Sequence, residues 1–275
     1  METGVGDAST TPTQVVGETP KLTQSVLLVR FYADQLNDLE DMRKRVDNRL
    51  RSLTRDDEWG HGIPEWHPDI QPALIAQQQI TAFEQAAILN LKRAFRLLPP
   101  PLVTFVKNTV GLGEKTAARF IGTVGGLAWH PREERPRTLG ELYAYCGLHV
   151  VNGEAPRRRK GVQANYNIQA RTRAYIMAVS CIKLIGSEKR QRSPYRDVYD
   201  DTRAHYADAT HEHQCGCKAP IGSPLCDGRA HARATRAVMK AIVADLWHQS
   251  QIPSETHRPP GSVSQVSTNN RNPER

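Results

Sequence analysis

Residues 102–125 constrain this chain more than any other stretch. They read Leu102-Val103-Thr104-Phe105-Val106-Lys107-Asn108-Thr109-Val110, then Gly111-Leu112-Gly113-Glu114-Lys115-Thr116, then Ala117-Ala118-Arg119-Phe120-Ile121-Gly122-Thr123-Val124-Gly125. A short apolar helix, a Gly-x-Gly turn and a second helix opening on Thr116-Ala117-Ala118 predict a helical hairpin. Gly111 and Gly113 let the backbone turn tightly and approach a phosphate with no Cβ in the way. The amides that open the second helix point outward at its positive dipole end, and Lys115 adds a cation beside them. Small Ala117 and Ala118 let the two helices sit close. Such a unit is either a helix-hairpin-helix that grips a sugar-phosphate backbone without reading bases, or an ordinary helical corner with a glycine C-cap. The agreement of turn, Thr-Ala-Ala and flanking apolar helices favours the first.

Helical periodicity also dominates upstream. From about Ser25 to Leu53 the apolar positions Val29, Tyr32, Leu36, Leu39, Val46, Leu50 and Leu53 recur in steps of three and four, interrupted at Arg43. This is the pattern of a coiled-coil seam, and equally of an amphipathic helix that packs on its own chain. A second helix is expected from Pro72 to Leu98, stopped by Pro99 to Pro101. Between the two lie Trp59, His61, Trp66 and His67, with no ligand spacing; the aromatic residues are expected to cover the core. Strand signals are scarce, so a parallel sheet carrying metal-binding carboxylates is not visible. The expected class is all-α, with coiled-coil-like helices over 23–99 and a helix-hairpin-helix domain over 100–250. Residues 1–22 and 251–275, polar and without apolar period, read as disordered tails.

Net charge is +8, which points to a polyanionic partner, because Lys and Arg that neutralise phosphates release counterions. The cations concentrate after Thr138-Leu139-Gly140-Glu141, a capping box that opens a helix running through Tyr145. Arg157, Arg158, Arg159 and Lys160 sit in the loop that follows, and a helix opened by Asn167 carries Arg171 and Arg173. Six cations in seventeen residues, with no acid after Glu154, form the densest positive patch in the chain. A solvated charge run is the ordinary explanation; the shortage of acids favours phosphate contact. Tyr166 in the patch is a candidate for stacking on an exposed base.

The order of Gly111-Leu112-Gly113-x-x-Thr116-Ala117-Ala118, then Leu139-x-x-Leu142-x-Ala144-Tyr145-x-Gly147-Leu148, then an arginine-rich loop and an Arg-bearing helix resembles the C-terminal domain of a transposase family. The family is that of the insertion sequences IS-110, IS-116 and IS-902. A last helix, from His231-Ala232-Arg233-Ala234 to Asp245-Leu246-Trp247, is similar to the segment closing that domain in some members, and the resemblance covers roughly residues 100–250. It implies a DNA-handling surface acting in transposition or recombination, at Gly111, Gly113, Lys115, Thr116, Arg157, Arg158, Arg159, Lys160, Arg171 and Arg173. Two departures stand out. The family's N-terminal RuvC-like domain, with four metal-binding acids, has no counterpart before the coiled-coil pattern. The family's serine nucleophile falls where this chain reads Val150-Val151-Asn152-Gly153, and an amide cannot attack phosphorus. Strand cleavage by this chain alone is therefore not expected.

His211, His213, Cys215, Cys217, Cys226 and His231 lie within twenty-one residues. Zinc favours four such ligands in a tetrahedron, and His213, Cys215, Cys217 and Cys226 are the candidate set for a structural ion. The tight Cys-x-Cys bite and Pro220, Gly222 and Pro224 fit a flexible insertion with reduced thiols instead. Cys146 and Cys181 fall on apolar helical stretches and read as core. No run is long enough to span a bilayer and no basic-then-apolar leader follows Met1, so a cytoplasmic, nucleoid-associated protein is expected. Three readings follow. One is a DNA-binding protein of mobile-element type; another is one subunit of a recombinase whose RuvC-like partner, and any guide RNA, come separately. The third is a basic assembly protein that dimerises through residues 25–53 and binds RNA or another acidic partner.

Overall fold

A computed structural model describes residues 24–130, 133–151, 155–158, 160–212 and 217–251. The stretches read as tails, apart from Gln251, lie outside the described residues, as do Arg159, His213 and Cys215. The fold is all-α. Among the described residues eight helices are joined by loops, and the only sheet is a two-residue antiparallel pair, β1 (Trp129–His130) with β2 (Arg135–Pro136).

The first two helices, α1 (Gln24–Thr54) and α2 (Gln71–Phe95), form an antiparallel pair. Their direction is fixed by polar cross-links: Arg43 Nε donates to Glu84 at 2.5 Å and Gln77 donates to Asp47 at 3.0 Å. Val29 and Leu36 of the coiled-coil-like pattern turn inward with Ala33, where Ala87, Leu91, Ala94 and Phe95 of α2 join the same core; Leu50 of the pattern is buried too. The apolar seam of α1 is thus closed within its own chain. Full burial of a leucine or phenylalanine contributes about 1.5–3 kcal/mol, and Leu36, Leu91 and Phe95 are each fully buried. The connecting loop does not cover this core: Trp59 and Trp66 are 75% and 76% exposed. Their neighbours are Asp56, Asp57, Glu58 and Glu65, so the loop stays in solvent with its aromatic rings.

Helix α2 stops at Phe95, short of the expected Leu98, because Leu97 and Leu98 donate to Ala94 and Phe95 in a tightened last turn. Pro99 bars continuation, and α3 (Pro100–Asn108) starts at once with prolines where a helix needs no amide. After the glycine turn comes α4 (Glu114–Val124), closed by Gly125 in the left-handed conformation. Ala117, Ala118, Phe120, Ile121 and Val124 are buried, which makes α4 the centre of the molecule. It packs on α1 so closely that a Cβ on Gly122 would meet that of Ala33 at 2.7 Å. The proline break at 99–101 is therefore a bend in the chain and not a gap in packing; residues on both sides share one core.

The capping box at Thr138 opens α5 (Leu139–Tyr145) as the sequence predicts. Arg135 reaches Glu141, and with the Thr138 amide it draws that exposed carboxyl down to about 2. A loop leads to α6 (Ile168–Ile182), capped by Asn167, then α7 (Pro194–His205) and α8 (Asp227–Gln249). The last helix buries Ala234, Val238, Ile242, Val243 and Leu246. No helix among the described residues is long and apolar enough to cross a membrane.

Candidate nucleic-acid interface and His/Cys cluster

The two glycines of the turn have different surroundings. Gly111 has φ +99°, and a Cβ there would lie 2.8 Å from Cys181 Cα and 2.9 Å from its sulfur. Its lack of a side chain lets the turn press against α6, an internal contact. Gly113 is exposed in extended conformation as the N-cap of α4, with only Thr116 Oγ1 near the place of a Cβ, at 3.5 Å. The amides of Glu114, Lys115 and Thr116 have no hydrogen-bond partner among the described residues, as expected for a first helical turn. Carboxylates already attend this end, however. Glu114 pairs with Arg96 at 3.0 Å and with Lys107 at 3.9 Å, while Lys115 reaches Glu40 of α1 at 3.5 Å. Lys115 therefore faces a protein carboxylate.

Glu40 is the hub of a junction between α1, α4 and α6. Arg119 holds both its oxygens, at 2.7 and 2.8 Å, and also donates to Asn37. Burial opposes ionisation of Glu40, but Arg119, with Lys115 and Lys44 behind it, outweighs that and holds the carboxyl below its usual range. Arg173 joins from α6 by donating to Asn37 at 2.7 Å; burial and the neighbouring Arg119 lower its affinity for a proton. Arg171 is also turned inward. Its guanidinium donates to the Pro156 carbonyl at 2.8 Å and lies over the Tyr166 ring at 5.1 Å. The other face of Tyr166 is pressed against Gly147, where a Cβ would come within 2.6 Å. The Tyr166 ring is thus engaged by Arg171 and packed near Gly147, and the two helix-borne arginines secure the fold.

The loop cations differ. Arg157, Arg158 and Lys160 are exposed and make no hydrogen bond, ion pair or ring contact among the described residues. Their loop is held on the side before them, at Pro156 by Arg171 and near its start by Arg236 of α8, which donates to the Gly147 carbonyl at 3.3 Å and the His149 carbonyl at 2.7 Å. Arg236 had no local signal in the sequence, because its partners lie almost ninety residues away. Helix α4 runs antiparallel to α6: Gly111 touches Cys181, whereas the Tyr145 hydroxyl links the Thr123 carbonyl to the Asn167 side chain. Hence the glycine turn and the cationic loop sit at opposite ends of α6, roughly 20 Å apart at 1.5 Å per residue. A single cradle made of both is not what the fold builds.

The His/Cys segment folds back on itself as a narrow ribbon. Residues Thr210 and Pro224 bridge, the His211 amide donates to the Ser223 carbonyl, and Leu225 returns to Ala209. This brings His211, Cys217 and Cys226 together, with potential ligand atoms within 4.8 Å of one another. Such a group can hold a metal ion. His211 is 3% exposed, and its Nε2 accepts the Cys226 amide at 3.1 Å, so metal binding through Nε2 requires that hydrogen bond to open. Of the ligand set expected from the sequence, His213 and Cys215 lie outside the described residues; His211, which that set leaves out, is turned toward Cys217 and Cys226. Cys146 and Cys181 are buried away from it, and burial pushes their thiols up to about 12 and about 11.

Comparison with family models, curated proteins and solved structures finds no match to this chain.

Proposed function

We propose that the chain is a nucleic-acid-binding protein of mobile-element type, gripping phosphates through the loop of Arg157, Arg158 and Lys160. The observation that carries this reading is the contrast in arginine use. Arg43, Arg96, Arg119, Arg135, Arg173, Arg192 and Arg196 each hold a carboxylate or a side-chain amide, whereas the loop cations, like Arg45, Arg49 and Arg51 spread along α1, hold nothing among the described residues. Three charges within four residues, with no partner among the described residues, repel one another unless an anion arrives. The open amides of Gly113-capped α4 form a second, separate contact. In this reading DNA is the partner, as the transposase-like motif order implies, and strand cleavage belongs to a separate RuvC-like subunit. The His/Cys ribbon takes a structural zinc, with Cys215 or His213 as fourth ligand, and ties down the entry to α8. Because α2 covers the α1 seam, a dimer would use the outward positions Leu27, Phe31 and Met42, which are about half exposed or more.

Fluorescence anisotropy with a duplex oligonucleotide at several salt concentrations tests the grip. Each lost phosphate contact lowers the slope of log affinity against log salt by about 0.9. The combined Arg157→Ala, Arg158→Ala and Lys160→Ala variant is expected to lose about 2–3 units of slope, and an unchanged slope would remove the loop from the interface.

A further inference from the structure

The cationic loop encloses more than charge. Against the loop lies a half-open cleft of about 480 Å³, with His149 and Arg157 in its lining beside five aliphatic and two amide side chains. Its volume falls within the roughly 300–1,000 Å³ of small-ligand sites. The chemistry of the lining is uneven in a useful way. Val151, Ala155, Pro156, Val162 and Ala164 supply aliphatic walls, while the Gln163 and Asn165 amides each offer a donor and an acceptor. Val150, Val151 and Val162 are 54%, 55% and 62% exposed, an apolar surface left open on the same loop as three cations with no partner among the described residues. A phosphate groove gains nothing from exposed valines. The apolar part of a nucleic acid is the face of a base, which becomes available only when the base leaves its stack.

From this juxtaposition we infer that the cleft receives a single unstacked nucleobase, with Arg157, Arg158 and Lys160 holding the phosphates on either side of it. The occupant is a strand and not a free nucleotide, because Arg157 in the cleft lining is followed in the chain by two more exposed cations, Arg158 and Lys160, more charge than one monophosphate neutralises. The inference rests on the nucleic-acid reading above and sharpens it: the preferred substrate is an unpaired position, such as a bulge or a single-stranded segment. Amide side chains can pair with a base edge in both DNA and RNA, so the sugar is not selected here.

Full-length protein is titrated with a duplex carrying one bulged 2-aminopurine, with the same duplex lacking the bulge, and with 2-aminopurine nucleoside monophosphate. The bulged duplex is expected to bind about tenfold more tightly than the regular one, the worth of one base contact. Its emission is expected to rise several-fold as the base moves between aliphatic walls. Ala164→Phe, which fills the cleft, and Asn165→Ala, an exposed position that the fold tolerates, should both reduce this preference while leaving regular duplex binding intact. Equal affinity for the two duplexes with unchanged emission overturns the base cleft while the backbone grip stands. Equally tight binding of the monophosphate overturns the strand as occupant. Failure to bind any of the three overturns both the cleft and the grip.

Discussion

The two glycines of one short motif offer a sharp test, because the fold gives them opposite duties. Replacing Gly111 by alanine places a Cβ 2.8 Å from the Cys181 backbone and 2.9 Å from its sulfur, at a residue with φ +99°. The backbone conformation costs an L-residue about 1–2 kcal/mol. Overpacking against a helix that cannot retreat adds about 1–3 kcal/mol. A loss of about 3 kcal/mol is the central expectation, or roughly 6–12 °C in midpoint for a chain of this size. Gly113→Ala has φ −97° and ordinary van der Waals room, and is expected to change stability by less than about 0.5 kcal/mol. Urea unfolding followed by far-ultraviolet circular dichroism measures both, and the separation is large against the error of the method. If Gly111→Ala were as stable as the parent, or Gly113→Ala lost as much, the packing account of the turn would fail. Nucleic-acid binding should follow the reverse order at matched folded fraction: only Gly113→Ala puts a methyl group beside the open amides.

Other outcomes follow from the interior. Glu40→Gln leaves Arg119 without its charge partner and should cost on the order of 2 kcal/mol at neutral pH. Since the folded-state carboxyl lies below its usual range, Glu40 stabilises the fold above the ordinary glutamate value and loses that contribution as pH falls through the lowered one. The parent should therefore lose stability more steeply than Glu40→Gln below about pH 4.5, and parallel acid titrations would count against the junction. Leu91→Ala, at a fully buried position, should cost about 2–5 kcal/mol by calorimetry or urea unfolding. Protein purified without chelator should carry one zinc per chain by elemental analysis, and removing it should expose Cys217 and Cys226 to a thiol reagent. Cys146 and Cys181 should stay silent at neutral pH, since burial keeps them protonated.

Local rules carried much of the architecture. The capping box at Thr138, the Asn167 cap, the proline stop after α2 and the periodic apolar positions of α1 each act within a few residues, and the structure has the corresponding helices. Charge density in the chain, by contrast, did not show which cations are free. Arg157 and Arg171 are fourteen residues apart and look alike in sequence, yet one is exposed and the other clamps a carbonyl. That difference depends on which way a helix faces once it is packed.

What the amino-acid sequence determined by itself was the all-helical class, the starts of the capped helices at Thr138 and Asn167 and the basic character, because spacing, capping and composition act locally or as sums; α7 and the end of α2 at Phe95 were not legible. Only the tertiary structure decided that the α1 seam is closed by α2, that Gly111 serves packing, and that the glycine turn and the cationic loop stand at opposite ends of α6. It likewise turned His211 toward Cys217 and Cys226 and set Arg236 to hold the loop. These outcomes depend on contacts between residues far apart in the chain, and close packing of a single core selects among pairings that the sequence leaves equal.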